Sequence, residues 1–447
     1  MKTTHLKILV AVSILAATRL MPGYAHGAPP DRLPNIWQPS ELTTISFLSP
    51  TEAALFGFDE AAVVYRGQDQ PAVIPPADEP IPYETEFERW LNESPFAGLF
   101  SDAQPAAANT PPVLAQTPSM FGDFFAGGVA TVPTADNFVD LDLPIAGGSR
   151  RVKIAENNKA LPVNRVFFVY NHFHNALDVR RSTTRGGPTT GFRSESADRY
   201  TFGFERTIAQ GLWSVELRMP FTNNYSVAEA DFTLDGGNIG NLAIIVKRLI
   251  YSDDCSSLVV GLGIDTPTGS SAVGFLPGPA VEFTLGNNSL HLLPYFGFMV
   301  HPTERFFYHG FAQIDVAVGD NDIDVREINS NTPDTGRIRD QTLLYMDASM
   351  GVWLYRCDGG SGLTGLAAVG ELHYTTSLDD ADTFSTPNFG IDFGNPDNRM
   401  DVINVSAGLH AEFSNKTRLR VAGVFPLDEG NNRLFDAEVV IAVIKQF

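Results

Sequence analysis

From residue 163 onward, apolar and polar residues alternate along the chain in a series of short runs. In one of them Phe202 and Phe204 face one way, while Thr201 and Glu205 face the other. A period of two in runs rich in β-branched and aromatic residues predicts strands that are apolar on one face and polar on the other. Each run approaches the roughly 9 to 11 residues that a tilted strand needs to cross a bilayer.

The alternation predicts about 12 strands in an antiparallel, all-β architecture. They cover residues 163–174, 199–209, 211–219, 241–251, 256–264, 289–301, 304–316, 342–356, 363–376, 400–413, 416–425 and 434–447. We leave residues 280–285 in a loop. A count of about 14 strands is the alternative, if 280–285 and 151–156 both join the wall.

The connections between these strands alternate between long and short. Long connections follow residues 174, 219, 264, 316 and 376, the last of the series (426–433) is shorter, and tight turns stand between them. This is the rhythm of an up-and-down transmembrane β-barrel with long extracellular loops and short periplasmic turns. A soluble β-sandwich gives no reason for it. The even count places both ends of the wall in the periplasm.

The residues before the barrel divide into three parts. Lys2 and Lys7 precede an apolar run and small-residue cleavage sites, which predicts a signal peptide over residues 1–27. Residues 28–118 hold half of the chain's 30 prolines and predict an irregular periplasmic arm. Residues 119–162 are rich in glycine and aromatic residues. Within them, acidic 139–143 and basic 151–155 are expected to pair as a β-hairpin. This part is a plug inside the barrel, a periplasmic cap or two further wall strands.

Composition narrows the classes of function. A net charge of −21 argues against nucleic acid as a partner. The 39 glycines and 32 phenylalanines suit strands that face lipid on one side and water on the other. Cys255 and Cys357 are too few for a disulfide framework. Whether they pair stays open, although their turns lie about four strands apart around the wall.

The polar strand faces supply the candidate site residues. Turned inward they line the lumen with Glu205, Glu216, Arg218, His309, Asp315, Asp347, Glu371, His373, His410, Glu412, Arg418, Arg420, Asp436 and Glu438. Such charges are ordinary in a polar lumen, and arranged as opposing walls they also select solutes.

No catalytic signature accompanies these residues. GxSxG, HExxH, GxxxxGK[ST] and paired CxxC motifs are missing from the sequence, so we expect neither an enzyme nor a cofactor. His172 and His174 share one strand face at a spacing that suits a metal, but no third ligand is identifiable. We therefore expect no metal centre within the strands.

The predicted extracellular loops are strongly acidic, in residues 320–324, 379–382 and 428–429. Clustered carboxylates either form a solvated acidic surface or bind divalent cations, which prefer oxygen ligands. The spacing does not match an EF-hand loop.

The last predicted strand alternates as far as Phe447, which ends the chain. With the signal peptide and the loop rhythm, residues 163–447 resemble the outer-membrane β-barrel proteins of Gram-negative-type bacteria. Lys445 departs from that family's pattern, which has an apolar residue there. The resemblance implies an outer-membrane location, contact with lipid, and Phe447 as the targeting residue that the barrel-assembly machinery reads.

Other stretches carry a more specific resemblance. Residues 120–125, 151–157 and 164–168 look like parts of outer-membrane proteins that have a long N-terminal arm. The chain is also distantly similar to the hydrophobic-compound transporters of the fatty-acid uptake and phenol meta-pathway type. Those proteins carry a plug ahead of the barrel, which is the role that the resemblance implies for residues 119–156. No binding residue carries over.

The sequence thus favours an outer-membrane channel or transporter for the passive passage of small solutes. The competing hypothesis is a structural or adhesion barrel that is closed to solutes and anchored to a periplasmic partner.

Overall fold

The structure is a computed structural model. It describes residues 112–124, 128–133, 138–143, 151–184, 189–229, 232–276, 280–328, 332–357, 359–394, 398–428 and 432–447. The predicted signal peptide and most of the predicted arm lie outside the described residues. The arm's described part begins with a short helix, α1 (Pro112–Gln116). Among the described residues, no helix has the length and apolar composition needed to cross a bilayer.

Strands make up most of the described chain. In chain order they are β1 (Gly128–Pro133), β2 (Phe138–Leu143), β3 (Arg165–Ser182), β4 (Thr189–Ile208), β5 (Trp213–Glu229), β6 (Phe232–Ile239), β7 (Leu242–Ser252), β8 (Ser256–Thr266), β9 (Ala272–Leu276), β10 (Val281–Leu285), β11 (Leu290–Val300), β12 (Phe306–Val318), β13 (Asn321–Glu327), β14 (Asp334–Ile338), β15 (Leu343–Arg356), β16 (Leu363–Ser377), β17 (Phe384–Ser385), β18 (Asp392–Phe393), β19 (Asp401–Phe413), β20 (Thr417–Pro426) and β21 (Ala437–Gln446). A 3₁₀ turn, Ala209–Gly211, joins β4 to β5.

Twelve of these strands close into one antiparallel barrel. The order around the wall is β3, β4, β5, β7, β8, β11, β12, β15, β16, β19, β20 and β21. The last strand pairs with the first, from Ala437 opposite His174 to Gln446 opposite Arg165. Closure pairs the backbone of every wall strand on both sides, so that no edge is left open. The predicted count and the predicted wall strands are confirmed, and β10 stays outside the wall as expected.

The alternation in sequence becomes an alternation of burial. On β4, Thr201 and Glu205 are buried, whereas the Phe202 side chain is 54% exposed on the outer surface. Lipid requires an apolar outer face and a wall in which every backbone group is paired. The closed barrel meets both requirements. The chain is therefore a transmembrane β-barrel of the outer-membrane type, and it is located in the bacterial outer membrane.

The first three wall strands are longer than the predicted ones. β3 continues to Ser182 and β4 starts at Thr189, and their additional residues pair with each other from Leu177 opposite Glu195 to Ser182 opposite Thr189. Apart from the buried Leu177 and Val179, most residues of these two extensions are polar. A period-two apolar pattern therefore could not reveal them.

The long loops and the two strands that precede the wall form a folded unit at the extracellular end, the extracellular cap. It is made of β1, β2, β6, β9, β10, β13, β14, β17 and β18. Pairing continues through this unit, with β9 and β13 on either side of β10 and β18 beside β1. The cap has an apolar core of its own that includes Val132, Leu141, Phe283, Val325 and Phe393.

The expected hairpin between 139–143 and 151–155 is wrong. β2 pairs with β1 instead, from Gly128 opposite Leu143 to Pro133 opposite Phe138. Val139 and Leu141 are buried in the apolar core of the cap. Residues 151–155 form no strand, because Arg151 and Lys153 bind carboxylates of the barrel wall. The basic charges of this stretch therefore pair with the wall and not with β2.

Inside the barrel, aromatic rings lie flat over glycines of the neighbouring strand. Phe167 on β3 stands opposite Gly203 on β4, and a Cβ atom added to Gly203 would lie 1.9 Å from the Phe167 ring. Gly370 on β16 differs, since an added Cβ would have its nearest neighbour 3.8 Å away. The close approach at Gly203 is therefore a packing requirement.

We expect Gly203→Ala to destabilise the folded barrel by about 1 to 3 kcal/mol, because the Phe167 ring must leave its position. The measurement is a urea titration in detergent, following the folded fraction by the difference in electrophoretic migration between unheated and boiled samples. Gly370→Ala is the matched control and should leave the midpoint unchanged. Equal midpoints for both variants would contradict the packing argument.

Candidate functional site

The lumen is occupied by two stretches of the chain's own N-terminal part, residues 112–124 and 151–163, which we call the inner segment. Near the periplasmic turns, the backbone oxygen of Ala115 accepts a hydrogen bond from Arg418 at 3.0 Å. Near the extracellular end, the Phe124 ring packs edge-on against Tyr345, with 5.3 Å between centroids. The first stretch thus runs the length of the lumen and leads to β1 and β2 in the cap.

The second stretch returns along the lumen to the periplasmic end. Arg151 lies 3.0 Å from Asp315 near the extracellular end of β12. Farther along, the amide of Ile154 donates to Gln313 Oε1 at 2.7 Å. At the periplasmic end, the backbone oxygen of Ala160 accepts from Ser257 Oγ at 2.6 Å. The chain therefore crosses the barrel twice before it enters the wall at β3.

The side chain of Glu371 on β16 anchors the backbone of the first stretch of the inner segment. Both carboxylate oxygens accept from the amide of Phe121 at 2.9 Å, and one lies 3.4 Å from the amide of Gly122. Gly122 has a φ of +95°, and an added Cβ would lie 2.7 Å from Glu156. Only glycine suits this turn, because the left-handed region is strained for other residues.

Lys153 joins the inner segment to the wall through two carboxylates. Its Nζ bonds to Asp123 of the other stretch and lies 2.7 Å from Asp347 on β15. Asp123, Asp347 and His373 are spaced closely enough to hold a metal ion. The ammonium of Lys153 already supplies the positive charge that these carboxylates require.

Arg165 on β3 centres a third set of contacts at the periplasmic half of the lumen. Its Nε lies 2.8 Å from Glu205 and its Nη2 lies 2.9 Å from Glu216. The remaining Nη1 donates to the backbone oxygen of Asn157 at 2.6 Å. Lys247 on β7 reinforces the set, with Nζ 2.9 Å from Glu205. Buried charges on this side are thus matched by opposite charges or by backbone oxygens.

The opposite side of the lumen, from β12 to β20, carries polar atoms that are not matched in this way. They include both ring nitrogens of His309, Ser349 Oγ, Trp353 Nε1, His410 Nδ1, and Nε and Nη2 of Arg420. Each is buried, and none has a hydrogen-bond partner among the described residues. More buried polar atoms are open on this side than on the first side, where Thr222 Oγ1 is also without a hydrogen-bond partner among the described residues.

The structure places the predicted lumen residues as follows. Apart from Asp436, the predicted residues are buried: Glu205, Glu216, Arg218, His309, Asp315, Asp347, Glu371, His373, His410, Glu412, Arg418, Arg420 and Glu438. Asp436 precedes β21, is half exposed, and pairs with Arg433 at 2.8 Å. It takes no part in the contacts with the inner segment.

Sequence reasoning missed several residues of the site, most clearly Arg165 and Lys247. Arg165 shares its inward face with Phe167 and Val169, and Lys247 shares its face with Ile245. A mostly apolar face was expected to point toward lipid. A lone charge on each face, at the start of β3 and in the middle of β7, was the available signal.

Those apolar inward faces exist because the inner segment is itself partly apolar. Ile245 and Leu293 of the wall share a buried cluster with Met120, Ile154 and Leu161 of the segment. The lumen thus combines apolar packing with buried charge.

Other predicted features lie away from the lumen. His172 is partly exposed on the outer face and binds Asp198 at 2.7 Å. Cys255 and Cys357 are free thiols. Phe447 stacks on Phe204 with 6.1 Å between ring centroids. Its role in targeting stays a prediction.

Several carboxylates of the acidic loops pair with arginines on the exposed surface. The pairs are Asp320 with Arg339 at 2.9 Å, Asp322 with Arg337 at 3.0 Å, and Asp380 with Arg399 at 2.8 Å. Cation binding at these loops stays a prediction.

A cavity of about 420 Å³ opens at the periplasmic end, between the inner segment and the wall. Gln116 and Pro162 line it from the inner segment, and Glu412, Arg418 and Phe447 line it from the wall. Arg418 Nε lies 2.8 Å from Glu412.

No protein-family model matches the chain, and no curated protein matches it. Among solved structures, an outer membrane channel from Pseudomonas putida F1 superposes with a TM-score of 0.40 at 12% identity, over 65% of this chain and 97% of that one. The translocator domain of the autotransporter NalP from Neisseria meningitidis has a TM-score of 0.39 at 12% identity, and the match covers 66% of this chain and 91% of that one. The toluene transporter TodX from Pseudomonas putida has a TM-score of 0.34 at 8% identity, and the match covers 73% of this chain and 98% of that one. At these values the description of the barrel rests on the strand pairing of this chain itself.

We expect Lys153→Met to destabilise the folded protein by about 3 to 5 kcal/mol, because it removes the ammonium that pairs with both buried carboxylates, Asp123 and Asp347, and leaves only His373 to pair with them among the described residues. A urea titration in detergent measures the loss. Lys445→Met is the control, since Lys445 is exposed and bonds to the backbone oxygen of Asn415. If the two variants lose equal stability, Lys153 does not hold the segment.

Proposed function

We propose that this barrel is an outer-membrane channel for small polar solutes, closed at rest by the inner segment and opened when that segment shifts. Transport is passive and involves no covalent chemistry. One observation supports the proposal above all. The described parts of the inner segment touch the wall through side chains and form no β-ladder with it.

Side-chain contacts differ from a ladder in what their loss costs. A continuous ladder must break many backbone hydrogen bonds together. A carboxylate such as Glu371 can exchange the amides of Phe121 and Gly122 for water or solute, and the net loss for each such bond is modest, on the order of 1 to 3 kcal/mol. A segment held in this way can be displaced without unfolding the wall.

Charge in the lumen favours polar solutes over apolar ones. Acidic groups such as Glu205 and basic groups such as Arg165 alternate within hydrogen-bonding distance of one another. A solute that replaces part of the inner segment would meet donors and acceptors at each of these charged positions. Donors and acceptors that line a pore select solutes by the hydrogen bonds and charges that they offer.

The extracellular cap favours a second candidate function. Its apolar core gives the loops a fixed shape. A fixed extracellular surface suits a structural or adhesion barrel that never opens. The two candidates differ in whether loosening the inner segment creates conductance.

Single-channel recording in planar bilayers separates them. We expect the unsubstituted chain to be mostly closed and Glu371→Gln to show frequent conductance steps, because a neutral amide holds the Phe121 and Gly122 amides less strongly than a carboxylate does. Glu438→Gln is the matched control. Glu438 is also buried and inward-facing, but its hydrogen bond is to Asn171 of the wall.

Silence from the unsubstituted chain and from both variants, in samples whose migration shows a folded barrel, would favour the structural candidate. Equal conductance from both variants would show that loss of any buried carboxylate opens the pore. Either result would contradict the assigned role of Glu371.

A further inference from the structure

Arg420 on β20 presents an open hydrogen-bonding edge inside the barrel. Its Nη1 donates to Asn157 Oδ1 at 2.6 Å, and the Phe121 ring covers its face, with 4.5 Å between Cζ and the ring centroid. Nε and Nη2 have no partner among the described residues, although the side chain is only 1% exposed. These two nitrogens form the edge of a guanidinium that pairs with a carboxylate through two parallel hydrogen bonds.

The same edge is occupied in the neighbouring buried arginines. Arg165 uses Nε and Nη2 for Glu205 and Glu216. Arg418 uses Nε for Glu412 and Nη2 for the backbone oxygen of Ala115. Glu371 and Glu156 attract the Arg420 guanidinium through space, but neither bonds to its Nε or Nη2. A carboxylate that pairs with this edge would therefore satisfy buried donors that the described residues leave open.

Planar side chains stand beside this edge. His410 is the register partner of Arg420 across β19 and β20, and Trp353 lies edge-on to His410 with 6.0 Å between centroids. Phe307 continues the row, 6.1 Å from Trp353. Trp353 Nε1 and His410 Nδ1 also have no hydrogen-bond partner among the described residues. The open donors therefore lie next to an aromatic surface.

The periplasmic cavity leads toward this position. Glu412 and Arg418 line the cavity and stand opposite each other on β19 and β20. The next inward-facing pair on the same two strands is His410 and Arg420. A solute in the cavity is therefore separated from the open edge of Arg420 by one pair of side chains.

We propose that Arg420 binds the carboxylate of a small organic acid with a planar, aromatic body, which lies against Trp353 and Phe307. The proposal rests on the proposed channel function and names its class of solute. Phe121 belongs to the inner segment and covers the guanidinium, so an occupant contacts both the wall and the segment. Binding at this site therefore bears directly on the position of the segment.

Isothermal titration calorimetry of the full exported chain in detergent, in chloride-free buffer, tests the site with benzoate as the probe. Benzamide is the matched ligand, with the same shape and no charge. We expect benzoate to bind at least about tenfold more tightly than benzamide, because only a carboxylate pairs with both open donors.

Two arginine variants locate the binding. Arg420→Lys keeps the positive charge but removes the two parallel N–H donors of the guanidinium, so benzoate should bind about tenfold more weakly. Arg199→Lys is the matched control on β4, three strands away around the wall. Arg199 is buried, but Asn171 and Glu156 already occupy the same edge.

Equal affinity for benzoate and benzamide, or no binding of either, would overturn the proposal. So would an equal loss in both arginine variants, or heat of binding from chloride with none from benzoate. The ligand comparison uses the unsubstituted chain, so it stays decisive even if a variant does not fold. Conductance separates the two proposals. Benzoate binding without conductance would support the binding site and contradict the channel function. Conductance without benzoate binding would support the channel function and contradict the binding site.

Discussion

Buried charge in a closed lumen must find a partner, and the rest of this structure depends on that constraint. In an open pore, water would satisfy groups such as Glu371 and Arg165. Here the inner segment fills that space, so the wall groups bond to its amides and backbone oxygens. Leaving any of them unpaired would cost several kcal/mol, on the order of 3 to 5 for one partner of an ion pair. The wall and the segment therefore fold as complements.

The constraint is met unevenly around the lumen. From β3 to β7, charges such as Glu205 and Lys247 pair directly, and they hold the returning stretch of the segment. From β12 to β20, Arg420 and Trp353 keep open donors. The extracellular cap is tied to the same system, because the chain passes from Phe124 into β1 and returns from β2 to Arg151.

The wall could be predicted from the sequence because its determinants are local. Each strand alternates within about ten residues, since one face meets lipid and the other does not. The interior could not be predicted in the same way. Arg165 and Lys247 stand on apolar faces whose partners, Met120 and Ile154 among them, are distant in sequence. Arg151 and Lys153 do pair with carboxylates, as their charge predicts, but these carboxylates belong to Asp315 and Asp347 of the wall. Pairing with β2 could be excluded only once the closed barrel was known.

Hydrogen exchange of the backbone amides, read by mass spectrometry on the full chain in detergent, tests most directly whether the inner segment fills the lumen. The amides of Phe121 and Ile154 bond to Glu371 and Gln313 inside the barrel. The account predicts protection of peptides covering these residues approaching that of the wall strands, such as β16. Exchange of these peptides at the rate of an unstructured chain, with the wall strands still protected, would contradict it.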